Sequence, residues 1–293
     1  MKQAVIDLGS NSVLLTVVDG DTVLHDEARV VGLGKGLGDG GVFDSERMTA
    51  AMTALKDYAI TAEALGVPRG EVKGIATSAS RRASNADDFF AQVEAECGLK
   101  FRIISGTEEA HGSFEGASGG LGLHPRATLL TIDLGGGSTE VVIGDANRYF
   151  WWNSLEIGSA RLTEDFLQEG GPGFDAMQAH IKTILEDIPT RFPAEAIIAM
   201  AGTATTLGAI DAGLTCWEAE RVHGAELSRE ALQELAHRLN TSTPAERRKI
   251  AAVSPERAEF LVAGAMIIDG ILARVGAKEC ILSVRGLRFG FLT

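Results

Sequence analysis

Cysteine is scarce in this sequence, with three among 293 residues, at Cys97, Cys216 and Cys280. They are far apart, odd in number and form no C-x-x-C pair, which argues against a disulfide framework or a zinc site. The pattern favours a reducing compartment, so we expect a cytoplasmic protein. The sequence also has no apolar signal core at its start and no uninterrupted apolar run long enough to span a bilayer. No membrane association is therefore expected.

Basic residues are too few to balance the acidic ones, since 27 Lys and Arg face 40 Asp and Glu, for a net charge of −13. A chain this acidic repels duplex nucleic acid and anionic membranes, so neither is expected as a partner. The same charge opposes long-range attraction of any polyanion. A polyanion site must therefore depend on local donors and metal ions. Hydrophobic residues at 45% and charged residues at 23% are values of a globular chain.

The most informative feature is an internal repeat, in which residues 5–15 align with residues 131–141 at a constant offset, 133 − 7 = 126. Each copy reads as an apolar strand that ends in Asp (Asp7 or Asp133), a tight Gly/Ser turn, and a second apolar strand. A further turn signal then precedes a third strand in each copy. Two such units spaced by the length of a domain predict two similar lobes.

Strands alternate with helices in the rest of the chain, which predicts the α/β class. The predicted helices are 45–65, 86–97, 106–118, 158–167, 173–188, 203–212, 228–239 and 255–275, and the predicted strands are 72–76, 101–104, 196–200 and 279–284. The Gly-rich segment 119–126 is the predicted boundary. We therefore expect one lobe over 1–122 and another over 123–293, and leave open that the C-terminal segment packs back on the first lobe.

A strand that ends in Asp and continues as Gly-x-x-Ser points several backbone N–H groups into one concavity, which suits a phosphate. The Asp can hold Mg²⁺, since a hard cation prefers oxygen ligands. Two such loops, facing each other across a cleft, would hold successive phosphates of one chain. Glu140 follows Asp133 by seven residues, just past the turn, so strand reversal can bring both carboxylates to one metal ion. The alternative is that Glu140 is a solvent-facing strand residue.

Six segments resemble the exopolyphosphatase/guanosine pentaphosphate phosphatase family of the actin, sugar kinase and heat-shock 70 fold. They are residues 6–12, 76–85, 104–110, 132–140, 201–206 and 283–288, in the order of the family. The most specific are Asp133-Leu134-Gly135-Gly136-Gly137-Ser138-Thr139-Glu140 and Ser105-Gly106-Thr107-Glu108-Glu109-Ala110. The resemblance implies two tandem actin-like (ribonuclease H-like) lobes with an interlobe cleft. It also implies a phosphohydrolase that releases terminal phosphate from polyphosphate or guanosine pentaphosphate, with Mg²⁺ as cofactor and Mn²⁺ as the alternative.

The resemblance also implies roles for individual residues. Glu109 is the catalytic Glu that positions and deprotonates the attacking water, and Arg81 contacts a substrate phosphate. Asp133 and Glu140 are metal carboxylates, with Asp7 as a further candidate ligand. The predicted phosphate-binding residues are Gly9, Ser10, Asn11, Gly135, Gly136, Gly137, Ser138, Gly202 and Thr203. From residue type alone, Glu109 would be an acid that suits a helix N-terminus and Arg81 a surface arginine, and these alternatives stay open.

Two positions depart from the family pattern, because His111 stands where Arg is usual and Phe289 where an acid is usual. The histidine at position 111 predicts weaker activity, or activity that changes with pH in the range where histidine titrates. Two other functions stay open, a kinase or ATPase of the same superfamily and a non-catalytic sensor of polyphosphate or guanosine nucleotides. Polyphosphate and guanosine pentaphosphate both stay open as the small phosphoanhydride substrate, and a homodimer stays open as the oligomeric state.

Overall fold

The structure is a computed structural model that describes residues 1–37, 41–255 and 257–292. Its residues pack into two units, one of Met1–Gly112 with the C-terminal residues from Leu287 onward, and one of Ser113–Gly286. The domain boundary expected near residue 122 stays a prediction. Within the described ranges, no helix has both the length and the apolar character needed to cross a bilayer.

The first unit contains a five-stranded sheet in the order β3-β2-β1-β4-β5. Its strands are β1 (Lys2–Leu8), β2 (Ser12–Asp19), β3 (Thr22–Val30), β4 (Lys73–Ala76) and β5 (Phe101–Ile103). The first three strands form an antiparallel meander, and β4 and β5 continue the sheet in parallel with β1. Residues Ala4, Val5 and Ile6 of β1 are all buried, as expected for a central strand that is covered on both faces.

The helices of the first unit are α1 (Ser45–Ala64), α2 (Ser78–Arg82), α3 (Ala86–Cys97) and α12 (Leu287–Gly290), and α4 (Gly106–Ala117) also begins in this unit. Local signals place the start of α1 and the end of α3. The Asp44 side chain accepts hydrogen bonds from the backbone N–H groups of Glu46 and Arg47, which caps α1. Gly98, at φ 68°, ends α3 in the left-handed conformation that favours glycine.

The second unit contains a six-stranded sheet in the order β10-β11-β9-β6-β7-β8. Its strands are β6 (Leu129–Leu134), β7 (Thr139–Asp145), β8 (Arg148–Leu155), β9 (Ala196–Met200), β10 (Glu226–Ser228) and β11 (Glu279–Leu282). The helices are α5 (Ser159–Phe166), α6 (Phe174–Ile184), α7 (Ala201–Asp211), α8 (Ala219–Val222), α9 (Arg229–Thr241), α10 (Pro244–Arg247) and α11 (Leu261–Val275). Helix α11 is apolar nearly all round and is the centre of this core.

The two sheets repeat one topology. In each, the first three strands are an antiparallel meander, and two further strands join in parallel beside the first, so that β8-β7-β6-β9-β11 corresponds to β3-β2-β1-β4-β5. This confirms the predicted α/β class and the predicted pair of actin-like lobes. Strand β10 is an additional edge strand, antiparallel to β11, that the sequence pattern did not predict.

The start of α11 differs from the prediction of a helix from residue 255, and residue 256 lies outside the described residues. The N–H of Arg257 donates to the carbonyl of Ser254, and the N–H of Phe260 donates to the carbonyl of Arg257, both at 3.0 Å. These are turn bonds between residues three apart. Bonds between residues four apart begin with Gly264 N–H to Phe260, which is why the regular helix begins at Leu261.

Candidate active site

Arg81 and Glu109 form an ion pair in the first unit. Arg81 Nη1 donates to Glu109 Oε2 at 2.6 Å and to the carbonyl of Ile104 at 3.0 Å. The Glu109 residue is 7% exposed, and the Arg81 side chain is 23% exposed. Arg81 lies on the short helix α2 that follows β4, and Glu109 lies in the first turn of α4 after β5. The two residues that the resemblance assigned to catalysis are thus in direct contact, and Arg81 is not the freely solvated surface arginine of the alternative.

The adjacent Glu108 has a different task, which is to cap α4. Its Oε2 accepts from the N–H of Ser105 at 2.9 Å, and Ser105 Oγ accepts from the N–H of Glu108 at 3.2 Å. This reciprocal pair is a capping box. The hydrogen bond from the Ser105 backbone, with help from Arg102, lowers the pKa of Glu108 to about 2. Of the two glutamates, Glu108 caps the helix and also pairs with Arg102, and Glu109 pairs with Arg81.

The turn between β1 and β2 carries Gly9, Ser10 and Asn11. The N–H of Gly9 donates to the carbonyl of Ser12 at 2.9 Å and closes the turn. The carbonyls of Ser10 and Asn11 accept from backbone N–H groups of residues 31–34, so the segment after β3 holds the turn in place. Asp7 is partly buried in β1 beside this turn, opposite Leu14.

The turn between β6 and β7 closes in the same way, because the N–H of Gly135 donates to the carbonyl of Ser138 at 3.0 Å. The donor and the acceptor both keep the 126-residue offset of the repeat. The carbonyl of Gly136 accepts from two N–H groups at the start of α5, those of Ala160 and Arg161. A Cβ on Gly158 would lie 2.4 Å from the Gly136 oxygen, so this approach requires glycine at 158.

Gly202 and Thr203, at the start of α7, lie beside the same turn. Ser159 Oγ is 3.2 Å from Thr203 Oγ1 and 3.3 Å from the carbonyl oxygen of Gly135. A Cβ on Gly202 would lie 2.7 Å from Cζ of Arg257, so the guanidinium of that residue is packed against the helix start. The predicted phosphate-binding residues of the second unit, Gly135 to Ser138 with Gly202 and Thr203, are therefore brought together at one place.

Asp133 and Glu140 are directly opposite each other on β6 and β7. Glu140 is 2% exposed and accepts from Ser154 Oγ at 2.6 Å, so it is not the solvent-facing strand residue of the alternative. Asp133 accepts from the hydroxyl of Ser113. No cluster of three or more His, Cys, Asp or Glu side chains suited to a metal occurs in the described part of the chain. Two opposed carboxylates still fit Mg²⁺, which often takes one or two protein carboxylates with water and phosphate oxygens completing its shell.

The two departures from the family pattern have identifiable surroundings. His111 is half-buried on α4, two residues after Glu109. The Phe289 ring centroid is 5.9 Å from the guanidinium carbon of Arg288, within reach of a cation–π contact. Arg288 itself donates from Nε to Thr16 Oγ1 at 2.6 Å and from Nη2 to Asp26 Oδ1 at 2.9 Å, which ties α12 to the meander of the first unit.

A cavity of about 850 Å³ lies elsewhere in the second unit, among α6, α9 and α11. Its lining includes Phe174, Leu232 and Met266, with the Arg229–Asp269 ion pair at one side. None of the residues assigned above to catalysis, phosphate or metal lines this cavity. The cavity is therefore a feature separate from the candidate site residues.

The chain belongs to the Ppx/GppA phosphatase family, whose model matches residues 13–293. It is 34% identical over 287 residues to exopolyphosphatase 2 of Mycobacterium tuberculosis, covering 91% of this chain and 88% of that one. It is 32% identical over 218 residues to the guanosine-5'-triphosphate,3'-diphosphate pyrophosphatase of Pseudoalteromonas translucida, covering 71% of this chain and 42% of that one. The structure of the Aquifex aeolicus PPX-GPPA enzyme matches with a TM-score of 0.81 and 30% identity, covering 100% and 98%. The predicted family and the predicted enzyme class, a phosphatase, are confirmed.

Sequence reasoning did not single out Ser113 and Ser154, the donors to the carboxylates of Asp133 and Glu140. Ser154 faces Glu140 across β7 and β8, a register that depends on the bulge near Gly144. Ser113 follows Glu109 by four residues on α4, and this helical spacing is the one local signal that could have pointed to it.

Proposed function

We propose that the chain hydrolyses the terminal phosphoanhydride bond of inorganic polyphosphate, with guanosine pentaphosphate as a second substrate to be tested. The family membership and the named activities of the two relatives support this substrate class. The observation that carries the proposal is the ion pair of Arg81 and Glu109, because it joins a phosphate-binding cation to a candidate base within 2.6 Å.

Glu109 is the proposed general base. Arg81 Nη1 donates to its Oε2 at 2.6 Å and holds the side chain in place, and a carboxylate can accept a proton from water. Water activated in this way attacks the terminal phosphorus in line with the leaving oxygen, and the proton passes to the Glu109 carboxylate. Because Glu109 is buried and Arg81 is partly buried, bulk water competes less for their hydrogen bond than it would at an exposed pair.

Arg81 is the proposed ligand of the terminal phosphate. A guanidinium has five N–H donors in a planar fork that matches phosphate oxygens, and the carbonyl of Ile104 holds this one in place. Phosphoryl transfer depends mainly on positioning and on neutralising charge in the transition state, so a held guanidinium supplies what the reaction requires. The backbone N–H groups of the two Gly/Ser turns are proposed to bind further phosphates of the substrate.

Asp133 and Glu140 are the proposed carboxylates of a Mg²⁺ site, which Mn²⁺ would also suit. When bound, the ion would neutralise charge on the phosphate oxygens. The residues themselves supply two carboxylates in direct cross-strand register, each held by a serine hydroxyl. We also propose a cytoplasmic location, which the cysteine pattern favours. A homodimer is a further proposal, and the mass of the protein in solution tests it.

One assay tests this function against its alternatives. Phosphate release is measured with polyphosphate of defined length, guanosine pentaphosphate and ATP, each with Mg²⁺. A phosphohydrolase releases phosphate from the first or second substrate without an acceptor. A kinase would need an acceptor molecule, and a sensor would bind without turnover. Release from ATP alone, or from none of the three, would overturn the proposed activity.

A further inference from the structure

Three polar side chains form a row across the sheet of the second unit. Asp133 on β6 is directly opposite Glu140 on β7, and Glu140 is directly opposite Ser154 on β8. Residues directly opposite on antiparallel strands project their side chains from the same face, with Cβ atoms about 4.5–5.5 Å apart. The two carboxylates are therefore neighbours, and the serine lies next to the second of them.

Each carboxylate in this row has its own serine donor. Ser154 Oγ donates to Glu140 Oε1 at 2.6 Å, and Ser113 Oγ, from α4, donates to Asp133 Oδ2. Ser113 is 1% exposed, so solvent does not compete for its hydroxyl. The donors lie on different elements, and each one contacts a different carboxylate.

Each of these hydrogen bonds joins one oxygen of a carboxylate to a hydroxyl on another element, which fixes where that oxygen lies. A hydrogen bond to one oxygen also restricts rotation of the carboxylate, so that its other oxygen keeps a defined direction.

We propose that Ser113 and Ser154 are positioning residues that hold Asp133 and Glu140 in the orientation needed for a divalent cation. The inference rests on the metal site of the proposed function, and it adds two residues that would set the affinity of that site. Loss of such a supporting hydrogen bond typically weakens metal binding by 10- to 100-fold. We therefore expect each serine to matter for Mn²⁺ and Mg²⁺ affinity in the absence of substrate.

The experiment is a Mn²⁺ titration of the full chain without substrate, in which electron paramagnetic resonance reports free Mn²⁺. We expect Ser113→Ala and Ser154→Ala each to raise the Mn²⁺ Kd on the order of tenfold. Ser154→Thr keeps a hydroxyl at this half-buried strand position, so its Mn²⁺ Kd should stay near that of the unmodified chain. Ser283→Ala is the matched control, because Ser283 is 0% exposed and donates to the carbonyl of Ala117 at 2.9 Å.

A double variant, Asp133→Asn with Glu140→Gln, separates failure of the inference from failure of the metal site. If this variant and the unmodified chain bind Mn²⁺ equally, or neither binds it, the metal site and the inference are both overturned. If the double variant alone loses Mn²⁺, the metal site stands and the role of the serines is overturned. Serine variants with lower melting temperatures but unchanged Kd also overturn it, since the hydroxyls would then serve stability only.

Discussion

Replacement of Glu109 by glutamine is the most direct test of the proposed base. Glutamine has the same shape, and its carbonyl oxygen can still accept from Arg81 Nη1, which lies 2.6 Å from Glu109 Oε2. An amide cannot take the proton from water. Loss of a general base lowers the rate on the order of 10²–10⁴-fold. At about 1.36 kcal/mol per factor of ten, this is about 2.7–5.4 kcal/mol of lost transition-state stabilisation.

The same substitution has a smaller effect on stability. Glu109 is 7% exposed, so the ion pair is replaced by a weaker hydrogen bond in a site that is largely screened from water. A hydrogen bond to a charged group contributes about 1.5–3 kcal/mol. A loss of this size leaves a domain with a typical stability of about 5–15 kcal/mol folded at 25 °C. The rate measured at that temperature therefore reports chemistry.

The assay follows phosphate release from polyphosphate of defined length over a range of concentrations, together with urea unfolding of each variant. We expect kcat and kcat/KM of Glu109→Gln to fall by a similar factor, as they do when a group acts only in the transition state. A variant that keeps more than about half of the original kcat would show that Glu109 is not the base.

Glu108→Gln is the matched control, because it changes the neighbouring glutamate, and glutamine also serves in a capping box. Its kcat should stay near the original value. Its effect is on acid stability, since the pKa of Glu108 is lowered from 4.5 to about 2 by the N–H of Ser105. A lowered pKa contributes stability that is present above pH 4.5 and is lost as the pH falls towards 2. As the pH falls from 4.5 towards 2, the free energy of unfolding in urea should therefore decrease less for Glu108→Gln than for the unmodified chain.

Three further outcomes are expected. Gly290→Ala should destabilise the chain by about 1–3 kcal/mol or more in urea unfolding, because the added Cβ would lie 2.0 Å from the Gly112 oxygen. Gly70→Ala is its control, with nothing within 4 Å of the added carbon, and equal losses would contradict the reasoning. Asp133→Ala and Glu140→Ala should each shift activity to higher Mg²⁺, whereas an unchanged Mg²⁺ titration with a lower melting temperature would make them structural residues. Affinity for polyphosphate should level off after a few phosphates, because the net charge of −13 repels longer chains and attraction is screened beyond about 8 Å. A chromatographic time course should then show free intermediates, and their absence together with much tighter binding of long chains would refute this.

Local patterns were enough to predict most of the elements that carry the site. Helix α3 and strand β9 have the predicted bounds, and the two Asp-Gly turns close with the same hydrogen bond. Such features depend on a few neighbouring residues. The signals are helix caps, glycines and the spacing of apolar side chains, and all of them are visible in one stretch of sequence. The repeat at an offset of 126 likewise predicted two similar lobes, and the two sheets do share one strand order.

The elements without a strong local signal were not predicted. Helices α2, α8 and α12 have only four or five residues each, and β10 has three. Elements this short gain little from their own hydrogen bonds, and they form where tertiary packing supports them. Helix α12 is an example. Its Arg288 donates hydrogen bonds to Thr16 on β2 and to Asp26 on β3, and these bonds hold the helix against the sheet of the first unit.

Contacts between distant residues were decided by the tertiary structure alone. Arg81 and Glu109 are 28 positions apart, Ser113 and Asp133 are 20 apart, and each pair meets because separate helices and strands place the side chains at one point. The resemblance could name Arg81 and Glu109 individually but could not state that they form an ion pair. Packing likewise separates Glu108 from Glu109, because only Glu109 reaches the partly buried guanidinium of Arg81, while Glu108 turns back to cap its own helix.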